Sequence, residues 1–186
     1  MIPQNQYWKY IDIPGLTTIQ DKVLAFIQNS TDIMNPRSFQ NPMIPLTGRI
    51  IQHVPELDAT FKNHFNKMIM FAAFYVTWKP EHGALHVDDL TQEHNRARVN
   101  IPILNCQDTY TAFYENVTFE REVLPNGEVF NRVKNTDYTE MTRVELNKPA
   151  LLRVEKPHAI FMNMKNTPRI SLTIATFPDS ITLFRS

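Results

Sequence analysis

The chain has 186 residues, 42% of them hydrophobic, enough for one well-filled core and short for two. Lys plus Arg and Asp plus Glu each number 19, so the formal net charge is zero and no general attraction to nucleic acid or anionic membrane is expected. Cys106 is the only cysteine, which rules out an intrachain disulfide and points to a reducing compartment, most simply the cytoplasm.

The opening MIPQNQYWKYIDIPG lacks a basic segment followed by an apolar core, and no uncharged apolar run is long enough to span a bilayer, so a soluble protein is expected. In TTIQDKVLAFIQ, Thr18 and Asp21 resemble a capping box, and Ile19, Val23, Phe26 and Ile27 follow at helical spacing. Residues 31–49 are rich in proline with little periodicity and read as an irregular loop. The segment PELDATFKNHFNKM places Leu57, Phe61, Phe65 and Met68 on one stripe of a second helix, with His64 at its surface.

From residue 69 the pattern becomes that of strands. The segments IMFAAFYVTW, ARVNIPIL, TAFYENVTFEREV, GEVFNRV, EMTRVEL, ALLRV, AIFMNM and RISLTIATF follow one another with turn residues between them. Pro125, Asn126 and Gly127 mark a hairpin, because Asn-Gly tolerates positive φ. The expected fold class is mainly β, a jelly-roll sandwich or small barrel of mostly antiparallel strands, with helices ahead of it. One domain over residues 1–186 is expected, helical over about 1–68 and β over about 69–177.

Chemistry concentrates in GALHVDDLTQEHNRARVNIPIL. His86 and Asp88 lie two apart, so an extended backbone sends both side chains to one face. A third donor from a distant strand would complete a facial triad for non-haem Fe(II), and His158, at the start of an apolar strand, is the best candidate. Beyond it, Arg169 and Ser171 share a face of PRISLTIATF. A buried arginine requires an anion, its fork matches a carboxylate, and a neighbouring hydroxyl adds a further hydrogen bond.

Several nearby residues are weaker candidates. Tyr75 either points its hydroxyl into a cavity or belongs to the core. Arg98 and Asn100 share a face that either lines the cavity, contacting cosubstrate or substrate, or meets solvent. Trp78 and His82 precede the triad and are candidates for its entrance. A helical zinc pair of His82 and His86 is disfavoured by Pro80 and Gly83. Asp89 faces away from His86 by strand parity and reads as a turn or supporting residue, while His53 and His94 lack partners at ligand spacing. Cys106 reads as a small apolar residue.

The ordered set His86-Val87-Asp88, His158 and Arg169-Ile170-Ser171 resembles that of the Fe(II)- and 2-oxoglutarate-dependent dioxygenases with a double-stranded β-helix core. The likeness covers roughly residues 69–177. Arg98-Val99-Asn100-Ile101-Pro102 further resembles a strand of the aspartyl/asparaginyl and proline hydroxylase-like branch. The resemblance implies that His86, Asp88 and His158 hold Fe(II), and that 2-oxoglutarate chelates it with its far carboxylate on Arg169 and Ser171. Tyr75 and Asn100 would contact the cosubstrate, and Arg98 and Trp78 the substrate. With O2, the implied reaction is hydroxylation of a small molecule or an amino-acid or peptidyl side chain, releasing succinate and CO2, with no nucleic-acid or membrane partner. The alternatives are a non-catalytic β-sandwich module and a cupin-type metal protein, although cupins show glycine-bounded His-x-His motifs and only 4 glycines occur here.

Overall fold

The computed structural model describes residues 6–30, 33, 43–88, 96–123, 129–163 and 165–185. Strand β1 (Trp8–Tyr10) precedes helix α1 (Leu16–Gln28), which buries Ile19, Val23, Phe26 and Ile27. The helix starts before Thr18, from Gly15 in a left-handed conformation (φ 70°), and no side chain caps it. The expected capping box is therefore inside the helix and unused. A glycine takes that φ at no steric cost, which allows the chain to turn into the helix ahead of the expected cap.

The described part of 31–49 is more regular than its prolines predict. Strand β2 (Met43–Pro45) and helix α2 (Thr47–His53) lie there and just beyond. Helix α3 (Pro55–Phe65) has proline in its first turn, buries Leu57 and Phe61, and stops at Asn66, whose φ is 52°. Met68 consequently opens strand β3 (Met68–Thr77) instead of extending the helical stripe.

The remaining strands are β4 (Glu81–His82), β5 (Arg98–Leu104), β6 (Thr109–Glu115), β7 (Phe119–Val123), β8 (Val129–Val133), β9 (Thr139–Glu145), β10 (Ala150–Leu152), β11 (His158–Met162) and β12 (Arg169–Phe177). The expected single strand over 111–123 is divided, because Asn116 takes a positive φ of 59° between β6 and β7. Strands β7 and β8 pair as an antiparallel ribbon, and the Pro125-Asn126-Gly127 turn lies outside the described residues. A terminal 3-10 helix spans Ser180–Arg185.

Six strands form one sheet in the order β1-β10-β5-β12-β3-β2, and four form a second in the order β4-β11-β6-β9. All pairings within them are antiparallel. This is the mainly β, jelly-roll architecture the strand pattern predicts. Pro102 sits within β5 beside a register irregularity at Ile170 and Ser171, as expected for a residue with no N–H for the ladder.

Strand β12 shows how the layers are built. Ile170, Leu172 and Ile174 are at most 1% exposed and pack with Phe74, Val76, Val99, Ile101 and the buried faces of α1, α2 and α3. Each such side chain contributes about 1.5–3 kcal/mol of burial. The alternate residues Arg169, Ser171 and Thr173 face the space between the two sheets. The main core thus lies between the helices and the larger sheet, and the space between the sheets is left for a site. Among the described residues no helix is long and apolar enough to cross a membrane.

Candidate metal centre

Backbone hydrogen bonds bring the two histidines together. Gly83 N–H donates to Ile160 O at 2.7 Å, and a Cβ at Gly83 would lie 3.3 Å from that oxygen, so the close approach favours glycine. Three residues on, His86 and His158 exchange backbone hydrogen bonds of 3.0 and 2.8 Å in an isolated antiparallel bridge. Asp88 N–H then donates to Val154 O at 3.0 Å. The segment around residues 83–88 is therefore held along 154–160 with His86 and Asp88 on the inner side.

The side chains converge. Asp88 Oδ1 lies 3.6 Å from His86 Nε2 and 3.9 Å from His158 Nε2, and the ligating atoms of the three residues all lie within 4.8 Å of one another. His86 Nδ1 meets Ala84 O at 2.7 Å and His158 Nδ1 meets Lys156 O at 2.8 Å. A carbonyl only accepts, so each Nδ1 carries the proton and each Nε2 keeps its lone pair toward Asp88. Two imidazole lone pairs and one carboxylate on a common side form a donor set suited to an octahedral first-row metal with open positions. His82 does not contribute; its ring packs at a tilt against Phe161, 5.2 Å between centres, on the outer face of the smaller sheet.

Electrostatics separate the two histidines. Burial, then the neighbouring His86, pushes His158 down to about 4. Burial also pulls on His86, but Asp88 and the Ala84 carbonyl outweigh it and its pKa is raised. Burial pushes Asp88 up, yet His86, His158 and Arg98 prevail and hold its carboxyl below the usual range.

The cluster opens into a cavity of about 500 Å3 between the sheets. Tyr75 of β3, Arg98 and Asn100 of β5, and Arg169 and Ser171 of β12 line it with the triad, so the reading that sends Arg98 and Asn100 inward is the one the structure takes. Arg169 is 3% exposed, and its Nη1 donates to Ser171 Oγ at 3.1 Å. Among the described residues its Nε has no hydrogen-bond partner and no carboxylate pairs with it. Its guanidinium carbon lies 5.9 Å from the centre of the Tyr75 ring. Burial lowers its pKa without removing the charge.

Trp78 is not brought to the cavity. It has the strand parity of Phe74 and Val76, which face the helices, and it packs against the main core. The lining also includes residues that the motifs did not flag: Thr111 and Thr173, and an apolar wall of Val144, Leu146, Leu152, Val154 and Ile160. Strand parity counted from His158 or Arg169 would have found Ile160 and Thr173; the others depend on cross-strand register. Cys106 is buried with its Sγ 3.1 Å from Ile170 O, and burial pushes the thiol up. His53 Nδ1 meets Arg49 O and His64 packs edge-on against Phe65, both away from the cavity. Asp89 and His94 lie outside the described residues.

No protein-family model matches the sequence, and no curated protein is a significant match. Solved structures do match. A non-haem α-ketoglutarate-dependent epimerase of nogalamycin biosynthesis, SnoN, superposes with a TM-score of 0.52 at 10% identity, over 93% of this chain and 79% of its own. A nickel complex of the non-haem monooxygenase ThoJ gives a TM-score of 0.51 at 10% identity, over 93% of this chain and 75% of its own. At 10% identity the likeness is one of fold: the chain shares the antiparallel jelly-roll architecture of these two non-haem enzymes. Within that fold the chain carries a His-Asp-His group placed to hold a metal ion.

Proposed function

We propose that the chain is a single-domain Fe(II)- and 2-oxoglutarate-dependent dioxygenase that hydroxylates a small molecule or an amino-acid side chain. One observation carries the reading: Arg169 is a buried cation with no carboxylate partner among the described residues, lining the same cavity as the metal-binding group. A charge so placed is unfavourable until an anion pairs with it. A dicarboxylate that also reaches the metal fits, whereas a non-catalytic module or a cupin-type site gives the arginine nothing to do.

When bound together, Fe(II), 2-oxoglutarate and dioxygen supply an oxidant for a C–H bond, with release of succinate and CO2. The residues of the chain position and shield. His86 and His158 present Nε2 and Asp88 presents Oδ1 to the metal. Arg169 and Ser171 bind the far carboxylate of the cosubstrate, with Tyr75 and Asn100 beside it on the same wall. Arg98 contacts the substrate. The apolar wall limits water around the reacting centre. The lone, buried Cys106 supports a reducing compartment, most simply the cytoplasm.

Anaerobic titration of the purified protein with Fe(II) and 2-oxoglutarate tests the reading. The expected result is a weak visible charge-transfer band and, on admission of air, metal-dependent succinate. Neither signal appearing would refute it.

A further inference from the structure

Arg98 has a cationic head with too few partners. It lines the cavity, and its side chain is only 13% exposed. Among the described residues its one ion-pair contact is Asp88 Oδ2, 3.7 Å from Nε, while the other oxygen of that carboxylate faces the histidines. Nε is buried and makes no hydrogen bond among the described residues. The second carboxylate that acts on Arg98, Asp179, does not line the cavity. It accepts from the backbone N–H groups of Arg96 and Ile181, both at 2.7 Å, and lies beside Lys67. The Phe71 ring, 5.2 Å from the guanidinium carbon, steadies the planar fork.

Charge counting then identifies what is missing. Besides the histidines, the charged groups lining the cavity are Asp88, Arg98 and Arg169. A divalent metal and a dicarboxylate cosubstrate cancel each other, which leaves one positive charge in excess. That charge is on Arg98, because Arg169 is matched by the cosubstrate and Asp88 is drawn to the metal. A guanidinium fork in a partly dry pocket is a bidentate site for a carboxylate.

The neighbourhood specifies the rest of the ligand. Leu152 is the cross-strand partner of Arg98, and Val154, Leu146, Val144 and Ile160 line the same cavity as apolar surface together with His158. We infer that the substrate is a small aliphatic carboxylic acid, its carboxylate held by Arg98 and its hydrocarbon body lying on this wall beside the metal group. The inference rests on the oxygenase reading and adds a substrate class and an anchoring residue.

The test begins with anaerobic Fe(II) and 2-oxoglutarate binding to the full chain, so failure at that stage belongs to the oxygenase reading alone. Straight-chain monocarboxylates from butanoate to octanoate, each paired with its primary carboxamide, are then titrated into the loaded protein by calorimetry and ligand-observed NMR. The expected result is at least a tenfold preference for carboxylate over carboxamide at the best chain length. Arg98→Met, which keeps the stem over Phe71, removes the preference and leaves the 2-oxoglutarate Kd within about threefold; Arg98→Lys, which keeps the charge, retains part of the preference. Absence of any preference in the wild-type protein overturns the inference. So does a large loss of 2-oxoglutarate affinity in a folded Arg98→Met protein, since Arg98 would then serve the near carboxylate of the cosubstrate.

Discussion

His86 and His158, far apart in the chain, are held by two reciprocal backbone hydrogen bonds, and their ring centres lie 4.4 Å apart. The spacing of the proposed ligands is thus set by main-chain pairing and does not depend on an ion being present. Side-chain donors fixed this way lose little freedom on binding.

Metal binding should therefore stabilise a site that is already formed. Fe(II), or Mn(II) as an air-stable substitute, at a hundred times its Kd adds about 2.7 kcal/mol to stability. For a chain of this size that raises Tm by about 5–10 °C. In His86→Ala the rise should vanish while the far-ultraviolet circular dichroism spectrum stays unchanged, since the backbone bridge needs no imidazole.

Arg169 should show opposite effects on binding and on stability. Losing one side of a charge-assisted bidentate pair costs about 2–5 kcal/mol, so Arg169→Met should weaken 2-oxoglutarate by that amount in calorimetry. Metal binding should change little. In the absence of cosubstrate the same variant should unfold at a higher urea concentration than the parent, because an unpaired buried charge has been replaced by an apolar side chain. A lower midpoint would show that the cation has a partner.

The metal-free protein should lose stability in mild acid through His158. Its folded-state pKa, near 4, is below that of an unfolded histidine, so the unfolded chain takes up the proton first. The contribution is intact above about pH 6.5 and is lost as pH falls toward 4, amounting to about 2 kcal/mol between pH 7 and pH 5. His86, with a raised pKa, acts in the opposite sense and is stabilising below the unfolded value. Comparing urea midpoints of the parent and His158→Gln across this range isolates the His158 contribution: the slope should be shallower in the variant.

Gly83→Ala tests the close approach that leads into His86. The added Cβ meets Ile160 O at 3.3 Å, and main chain yields less readily than a side-chain tip. A cost of about 1 kcal/mol is expected, in the range of mild overpacking, with Gly83→Val costing more. Chemical denaturation measures the cost, and a smaller metal-induced rise in Tm would show that the shift reaches His86.

The parts that were readable from sequence share one property, a short local period. His86 with Asp88 and Arg169 with Ser171 are each two apart on extended chain, so their common orientation follows without a partner strand. The buried faces of α1 and α3 were legible for the corresponding reason at helical spacing. What was missed depends on remote pairing. Strand β1 exists because Trp8 through Tyr10 align with β10, and β2 because Met43 through Pro45 align with the edge of β3. Helix α2 buries Ile50 alone, too little for a periodic signal. Trp78 was placed at the entrance because it precedes the triad in sequence, whereas its parity, opposite to that of Tyr75, sets it against the main core, and the cavity wall from Val144 to Val154 emerges only when β9 and β10 are set beside the triad.

Strand β12 has a consequence for how the protein can fail. Its odd positions from Arg169 to Thr173 serve the cavity and its even positions from Ile170 to Ile174 serve the helical core. A slip of one residue in its pairing would drive an arginine and two hydroxyl side chains into the hydrocarbon layer and turn three aliphatic side chains toward the metal group. Such a misfolded chain could not persist as a stable but inactive species, because the error that removes Arg169 and Ser171 from the cavity also dismantles the core. A proofreading step for correct pairing is built into the strand that the proposed chemistry depends on.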